Sequence, residues 1–499
     1  MYAMQASDGT RQKKAVLSSF FPRAEQYRNI TGVPAKTVHE TRDSSFFFTY
    51  SERHLQCIWF DKSLRPEKLI ASSGEEVFVE NPGRWNLEAG PDFLDAIIVI
   101  GPDRRKMRGD IEIHIHPSDW KTHQHYGNKA YSKIIAHISF FPGHIPEETL
   151  PAGTIQLSLG NALKANPGFS FENIDISAYP YSAPGGQTPP CAEILAGWNN
   201  DQITKLLESA GEERLRTKSF RMGTAIRERG EDQILYEEIM TALGYKHNSI
   251  AFRQLAQIIP LKVLRDESSG NILKGYCLLA GVSGLLPPKV SQKWDTETRS
   301  FIRQLWDNWW KNQANWETRR MPTDAWHLAG IRPQNSPLRR MAAAASLFTT
   351  DDSLSSKFAR ISTADFDCWH KNVQNLFKLP ESISYWKQRL SFSGTVQKSN
   401  IALLGTERII AIELNVLLPF LASREIPIKR LMNNLPPEQG NNLIRTAAHA
   451  LLGRDHNPAL YRSGLRQQGL IQIFHDFCLN NRSSCSDCLL VESIRSFSS

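Results

Sequence analysis

Residues 110–116 read DIEIHIH, and a strict period of two over seven residues points to one backbone state, an extended strand. Side chains alternate across a strand, so Asp110, Glu112, His114 and His116 share one face and Ile111, Ile113 and Ile115 the other. The isoleucine face needs a packing partner. The stretch SSFFFTYSERHLQCIWF (44–60) supplies one, because Leu55, Ile58 and Trp59 fall on one helical stripe and Ser51 is a suitable N-cap. The polar face must then meet water, a metal or a substrate, since burying unpaired charge is costly.

Further strands are expected at EEVFVENPG (75–83), FLDAIIVIG (93–101), KIIAHISFF (133–141) and TIQLSL (154–159). GPDRRKMRG (101–109) reads as a turn rich in Gly and Arg, and PSDWKTHQHYGNKAY as a short helix capped by Ser118 or Asp119. The order over residues 43–165 is helix, three strands, helix, strand, which predicts an α+β domain. Residues 1–42 are polar without a stable period and read as a flexible, basic-leaning arm. Residues 166–195, with YPYSAPGGQTPP, read as a Pro/Gly-rich linker, and residues 196–499 repeat at 3.6 and predict a large all-α region. A chain of 499 residues exceeds one ordinary core, so more than one domain is expected.

The longest apolar candidate, Ile409 to Ala422, has 14 residues and contains Glu413. A membrane span takes about 20 residues, so no membrane partner is expected. The N-terminus lacks the apolar segment of a secretory signal, which points to the cytoplasm. Seven cysteines form no disulfide framework. The net charge of +8 suits a polyanionic partner such as nucleic acid. Trp306, Trp309, Trp310, Trp316 and Trp326 lie among Arg319, Arg320, Arg332, Arg339 and Arg340. Aromatics and arginines interleaved in this way can hold single strands, but tryptophans at helical spacing more often pack a core.

Upstream of the alternating strand, AGPDF places Asp92 at the start of the preceding strand. If the two strands are neighbours, Asp92 lies beside Glu112. Two carboxylates so placed suit Mg²⁺ or Mn²⁺, and a water on such an ion can attack a phosphodiester. Six of the 14 histidines fall between His114 and His144. HPSDWKTHQH could place His116, His123 and His125 near one another for a transition metal, although the spacing fits no standard helical pair. The expectation is that His114, with His123, serves the carboxylate site, that His137, on an apolar strand, is a hydrogen-bonded core residue, and that the others are surface or core residues. Near the other end, HDFCLNNRSSCSDCLL gives Cys478, Cys485 and Cys488 in a C-x6-C-x2-C spacing. This predicts a structural metal site, zinc first and [4Fe–4S] second, with His475 or Cys191 as fourth ligand.

The pattern of Pro91-Asp92 followed by Glu112-Ile113-His114 resembles the core of the PD-(D/E)XK nucleases, whose fold is αβββαβ. The resemblance implies a restriction-endonuclease-like sheet and a metal-dependent nuclease or nuclease-like phosphodiesterase acting on nucleic acid. Asp92 and Glu112 would hold Mg²⁺ or Mn²⁺, and Glu52 would be the acidic helix residue. His114 stands where that family has lysine, so it becomes a ligand or base and Lys121 the candidate cation. The alternatives are a catalytically inactive nucleic-acid-binding or scaffold protein of the same fold, and a histidine-based metal hydrolase of small substrates. The late cysteines are similar to the start of the endonuclease III iron–sulfur loop, although Ile494 stands where its fourth cysteine would fall. Some PD-(D/E)XK nucleases join one distant cysteine to three late ones, a plan that Cys191 would suit. SERHLQCIW, AGPDFLDA, GDIEIHIHPSDWKTHQH, PPCAEI and WHLAGIRPQNSPLRRMAA together resemble the bacterial family called domain of unknown function 2851. That resemblance implies no activity. Its members usually read VEIH at the alternating strand, which implies that His114 is the family's usual residue.

Overall fold

The computed structural model describes residues 19–31 and 50–498, apart from 88–89, 124, 167–168, 182–187, 312, 351–352, 380–382, 440–441, 480–484 and 486–487. Contacts group the chain into two units. A mixed α/β unit gathers Arg28–Asn199, Asn442–His456 and Ile473–Ser499. A helical unit gathers Met1–Tyr27, Asn200–Asn441 and Asn457–Gln472.

The strands of the mixed unit are β1 Leu69–Ile70, β2 Glu76–Asn81, β3 Arg84–Trp85, β4 Phe93–Ile100, β5 Arg105–His114, β6 Ile134–Ser139 and β7 Ile155–Ser158. They form one sheet in the order β1-β2-β4-β5-β6-β7, with β3 also pairing β4. β2, β4 and β5 run antiparallel, whereas β5, β6 and β7 run parallel. Beyond β1, Ala71 bridges Leu157 of β7, and the Ser72 amide donates to Gln156 O at 2.8 Å. The sheet therefore curls into part of a barrel. Helix, β2, β4, β5, short helix and β6 follow in the expected order, within a sheet that is larger than the αβββαβ core and curled.

The helix Glu52–Phe60 packs on β5, burying Leu55, Cys57, Ile58 and Trp59. Ser51 starts it, its amide donating to His54 Nδ1 at 3.3 Å, and Trp59 Nε1 donates to Pro82 O at 2.9 Å. β5 begins earlier than its alternation announces. The turn ends at Arg104, and Arg105–Gly109 pair with Ile100–Ala96. Gly109 is required by proximity: a Cβ there would sit 2.4 Å from Ile135 Cγ2 and 2.5 Å from Lys133 O. Ile111 and Ile113 are buried as expected, each worth about 1.5–3 kcal/mol. Most of the polar face is closed to water, since Asp110, Glu112 and His114 are buried too and only His116, beyond the strand, is exposed.

In the helical unit, the helix Asn200–Arg229 and those that follow it surround one apolar core. Trp309, Trp316 and Trp326 belong to that core, while Trp310, Arg319, Arg320 and Arg332 are exposed. Arg339 is fully buried and donates to the carbonyls of Trp386, Arg389 and Ala402. Arg340 donates to Tyr245 Oη at 2.7 Å and to Asn335 Oδ1 at 2.8 Å. These two arginines tie segments of the unit together. Part of the expected arm is ordered: Ala24–Thr31 is helical, Phe21, Ala24, Tyr27 and Ile30 are buried, and Arg23 pairs with Glu208 and Glu212. The rest of that arm lies outside the described residues. Of the expected linker, Phe171–Asn173 and Ile176–Ala178 form 3-10 turns, Pro190–Ala196 is helical, and the PGGQ stretch lies outside the described residues. No helix among the described residues is long and apolar enough to cross a membrane.

Candidate metal centre

β5 is parallel to β6, so the chain cannot return by a hairpin and must cross over. The crossover, residues 115–133, leaves the carboxyl end of β5 and carries HPSDWKTHQH past it. Its anchor is Trp120, buried with Tyr131, Ile134, Ile145 and Leu150, whose Nε1 donates to Thr149 O at 2.9 Å. From that anchor the short helix Asp119–Thr122 and the turn after it deliver His123 and His125 to His114.

One nitrogen from each of His114, His123 and His125 lies within 4.8 Å of the other two. His114 Nε2 is 3.2 Å from His125 Nε2 and 3.1 Å from His123 Nδ1. Glu112 Oε1 joins them at 3.2 Å from His125 Nε2 and 3.5 Å from His114 Nε2. Ligands at about 2.0–2.1 Å from a tetrahedral ion stand about 3.3–3.4 Å apart, so His114 already stands at ligand spacing from His123 and from His125, and three imidazoles leave a fourth position open. His114 and His125 are buried and His123 is exposed, so the set has one edge toward solvent.

The surroundings fix these groups. His114 Nδ1 is 2.8 Å from His137 Nε2. With the His114 proton on Nδ1 and donated to His137, Nε2 keeps its lone pair for an ion. His125 stacks on Tyr131 with ring centroids 4.0 Å apart. Burial, with the charge of His123 second, pulls the His125 pKa down to about 4, and burial does the same to His137. Both rings are therefore neutral near pH 7. The contact of Glu112 Oε1 with the buried His125 ring, at 3.2 Å, is one between two buried groups.

Asp92 and Glu112 are neighbours, as the adjacent strands required. Their direct contact runs from the Asp92 amide to Glu112 Oε2 at 3.1 Å. Asp92 Oδ2 accepts from the Ile113 amide at 2.8 Å and Oδ1 from Gln56 Nε2 at 2.9 Å. The helix Glu52–Phe60 thus reaches the site through Gln56, one turn beyond Glu52. Lys121 is exposed on the short helix, and His116, also exposed, stacks on Phe141. Alternation singled out Glu112 and His114. It did not reveal His125, nor the pairing of His137 with His114. The signal for His125 was the parallel crossover, which confines HPSDWKTHQH to the end of β5.

Residues 52–432 match the family model described as Protein of unknown function (DUF2851). The chain belongs to this family. Searches of curated proteins and of solved structures gave no match. Every member of the histidine cluster, with Glu112, Asp92 and Gln56, falls inside the matched span, whereas Cys478, Cys485 and Cys488 lie beyond it.

Proposed function

We propose that His114, His123 and His125 hold one transition-metal ion, and that Glu112 beside it makes the centre a metal-dependent hydrolase of phosphodiester bonds. The observation that carries this reading is the convergence of three imidazole nitrogens within 4.8 Å, with His114 Nε2 3.1 and 3.2 Å from the other two and Glu112 Oε1 beside His125 and His114. Three imidazoles favour zinc or a similar ion over Mg²⁺, which prefers oxygen donors. That moves the expected metal away from a carboxylate-held Mg²⁺ or Mn²⁺. Asp92 becomes the brace of the site, its amide holding Glu112 Oε2 and its carboxylate tying the β5 backbone to Gln56.

The ion would supply Lewis acidity to a water and to the attacked phosphoryl group. The chain supplies the rest. Glu112 Oε1 faces the cluster as proton acceptor, while Oε2 is held by the Asp92 amide so that the carboxylate cannot rotate away. His137 fixes the His114 ring. Substrate enters over His123, the exposed member, and Lys121, on the short helix just before it, is the cation of the sequence pattern. The net charge of +8 suits nucleic acid as the source of the phosphodiester. Parallel strands that end at the site agree with ligands binding at the carboxyl ends of such strands.

A second reading, a metal-binding scaffold without turnover, is favoured by the burial of Glu112 and His114. One experiment separates the two. Zinc and manganese are titrated calorimetrically into the full chain, His123→Ala and Glu112→Gln, and each is assayed on labelled single- and double-stranded DNA and RNA. The hydrolase reading expects Glu112→Gln to bind metal without cleaving, and His123→Ala to lose both functions. Metal binding without cleavage in the unsubstituted chain establishes the scaffold. Cleavage that survives both substitutions sinks the proposal.

A further inference from the structure

Cys191, Cys478, Cys485 and Cys488 all belong to the mixed unit. Cys191 is in the first turn of the helix Pro190–Ala196, with its Sγ 3.3 Å from Ala450 O. That helix packs against both Asn442–Leu452 and Leu489–Ser498. Cys488 directly precedes Leu489–Ser498. Cys478 ends the π-helical turn Phe474–Cys478, which itself packs on Asn442–Leu452. Helices from segments almost 300 residues apart in sequence thus pack together, with a cysteine in or beside three of them.

We propose that Cys191, Cys478, Cys485 and Cys488 form a second metal centre, a tetrathiolate site for one zinc ion or one iron–sulfur cluster, which pins the C-terminal segment to the helix Pro190–Ala196. Electrostatics supports the convergence. Cys191 feels Cys485 and Cys488, Cys478 feels all three others, and Cys485 feels Cys488, so every pair in the set interacts. Thiolate is the ligand that zinc and iron–sulfur clusters select. Cys191, one of the two candidates for fourth ligand, interacts with Cys485 and Cys488. Four protein ligands leave no open position, so the role is structural.

The test uses the full chain, purified anaerobically without chelator. Its zinc, iron and acid-labile sulfide are measured, and its thiols are mapped with iodoacetamide by mass spectrometry. Cys368 and Cys485 are both exposed, so Cys368 is the internal control. The proposal expects Cys368 to react at once and Cys485 to stay protected until the metal is stripped. Zinc without sulfide identifies a zinc site, and iron with equal sulfide and visible absorption identifies a cluster. Cys485→Ser, at an exposed position, should keep its fold and lose this metal, and Cys191→Ser should lose it as well. His123→Ala should lose only the metal of the histidine centre, which keeps the two sites distinguishable. Equal alkylation of Cys485 and Cys368 in the untreated chain overturns the proposal. So does a disulfide among the four, or metal content unchanged in both serine variants.

Discussion

Asp92 and His123 are the residues at which sequence and geometry weigh differently. The nuclease-like pattern gives Asp92 the central place, but its two carboxylate oxygens accept from Ile113 and Gln56 inside the unit. Removing a buried acceptor orphans two donors, at about 1–3 kcal/mol each. Asp92→Ala is therefore expected to lower stability by a few kcal/mol in denaturant melts, while metal affinity falls modestly. His123 is exposed, and its replacement by Ala is expected to change stability by less than about 0.5 kcal/mol. Its effect on zinc affinity in calorimetry should exceed the roughly 10–100-fold typical of losing an outer partner. His137, 2.8 Å from His114, is such a partner, and His137→Phe should fall within that range. If Asp92→Ala abolishes metal binding and His123→Ala does not, the carboxylate and not the imidazoles holds the ion.

Among the elements, β5 was the most legible, and its neighbours show where legibility stops. Its period-two alternation declared a strand, a buried isoleucine face and a polar set of Glu112 and His114, and the helix from Glu52 was visible from its apolar stripe. What covers the polar face was not legible, because that depends on whether β5 and β6 run parallel, a long-range property. The crossover that results is held by Trp120, so Trp120→Ala should cost about 3–5 kcal/mol and loosen His123 and His125 together. Reduced zinc affinity with His114 intact would be the sign. Another element carries its own signature. The π-helical turn Glu413–Leu417 buries Glu413 completely, its carboxyl oxygens 2.8 and 2.9 Å from His370 Nδ1. Burial raises the Glu413 pKa from 4.5 to about 8 and lowers that of His370, which favours a neutral pair. The raised Glu413 pKa adds stability that is complete below pH 4.5 and is lost as pH climbs to about 8. Glu413→Gln keeps the shape and removes this loss. Its melting temperature relative to the unsubstituted chain should therefore rise between pH 5 and pH 8, by the equivalent of roughly 2–4 kcal/mol. A difference that does not vary with pH would mean that Glu413 is ionised in the folded protein.

At the scale of the whole molecule, composition pointed to more than one domain and the 3.6 period to a large helical region after the mixed one, yet neither announced that the chain comes back. Asn442–His456 and Ile473–Ser499 group with the mixed unit, although their helical periodicity is indistinguishable from that of Asn200–Asn441. Periodicity reports which face of a helix is apolar, not which core it joins, and the cysteines were the one sequence feature that pointed backward, from Cys478, Cys485 and Cys488 toward Cys191. The histidine centre lies wholly within the mixed unit, which makes the consequence of binding regional. An ion that binds only the folded centre stabilises it by about 2.7 kcal/mol at one hundred times its dissociation constant. Amide hydrogen exchange read by mass spectrometry should show this as slower exchange across β4, β5, β6 and the crossover when zinc is added. Helices of the helical unit, such as Asn200–Arg229, should exchange at unchanged rates, and His123→Ala should erase the difference. Protection spread evenly over both units would show instead that zinc acts on the global unfolding of the chain, and protection confined to Leu489–Ser498 would place the zinc at the cysteines alone.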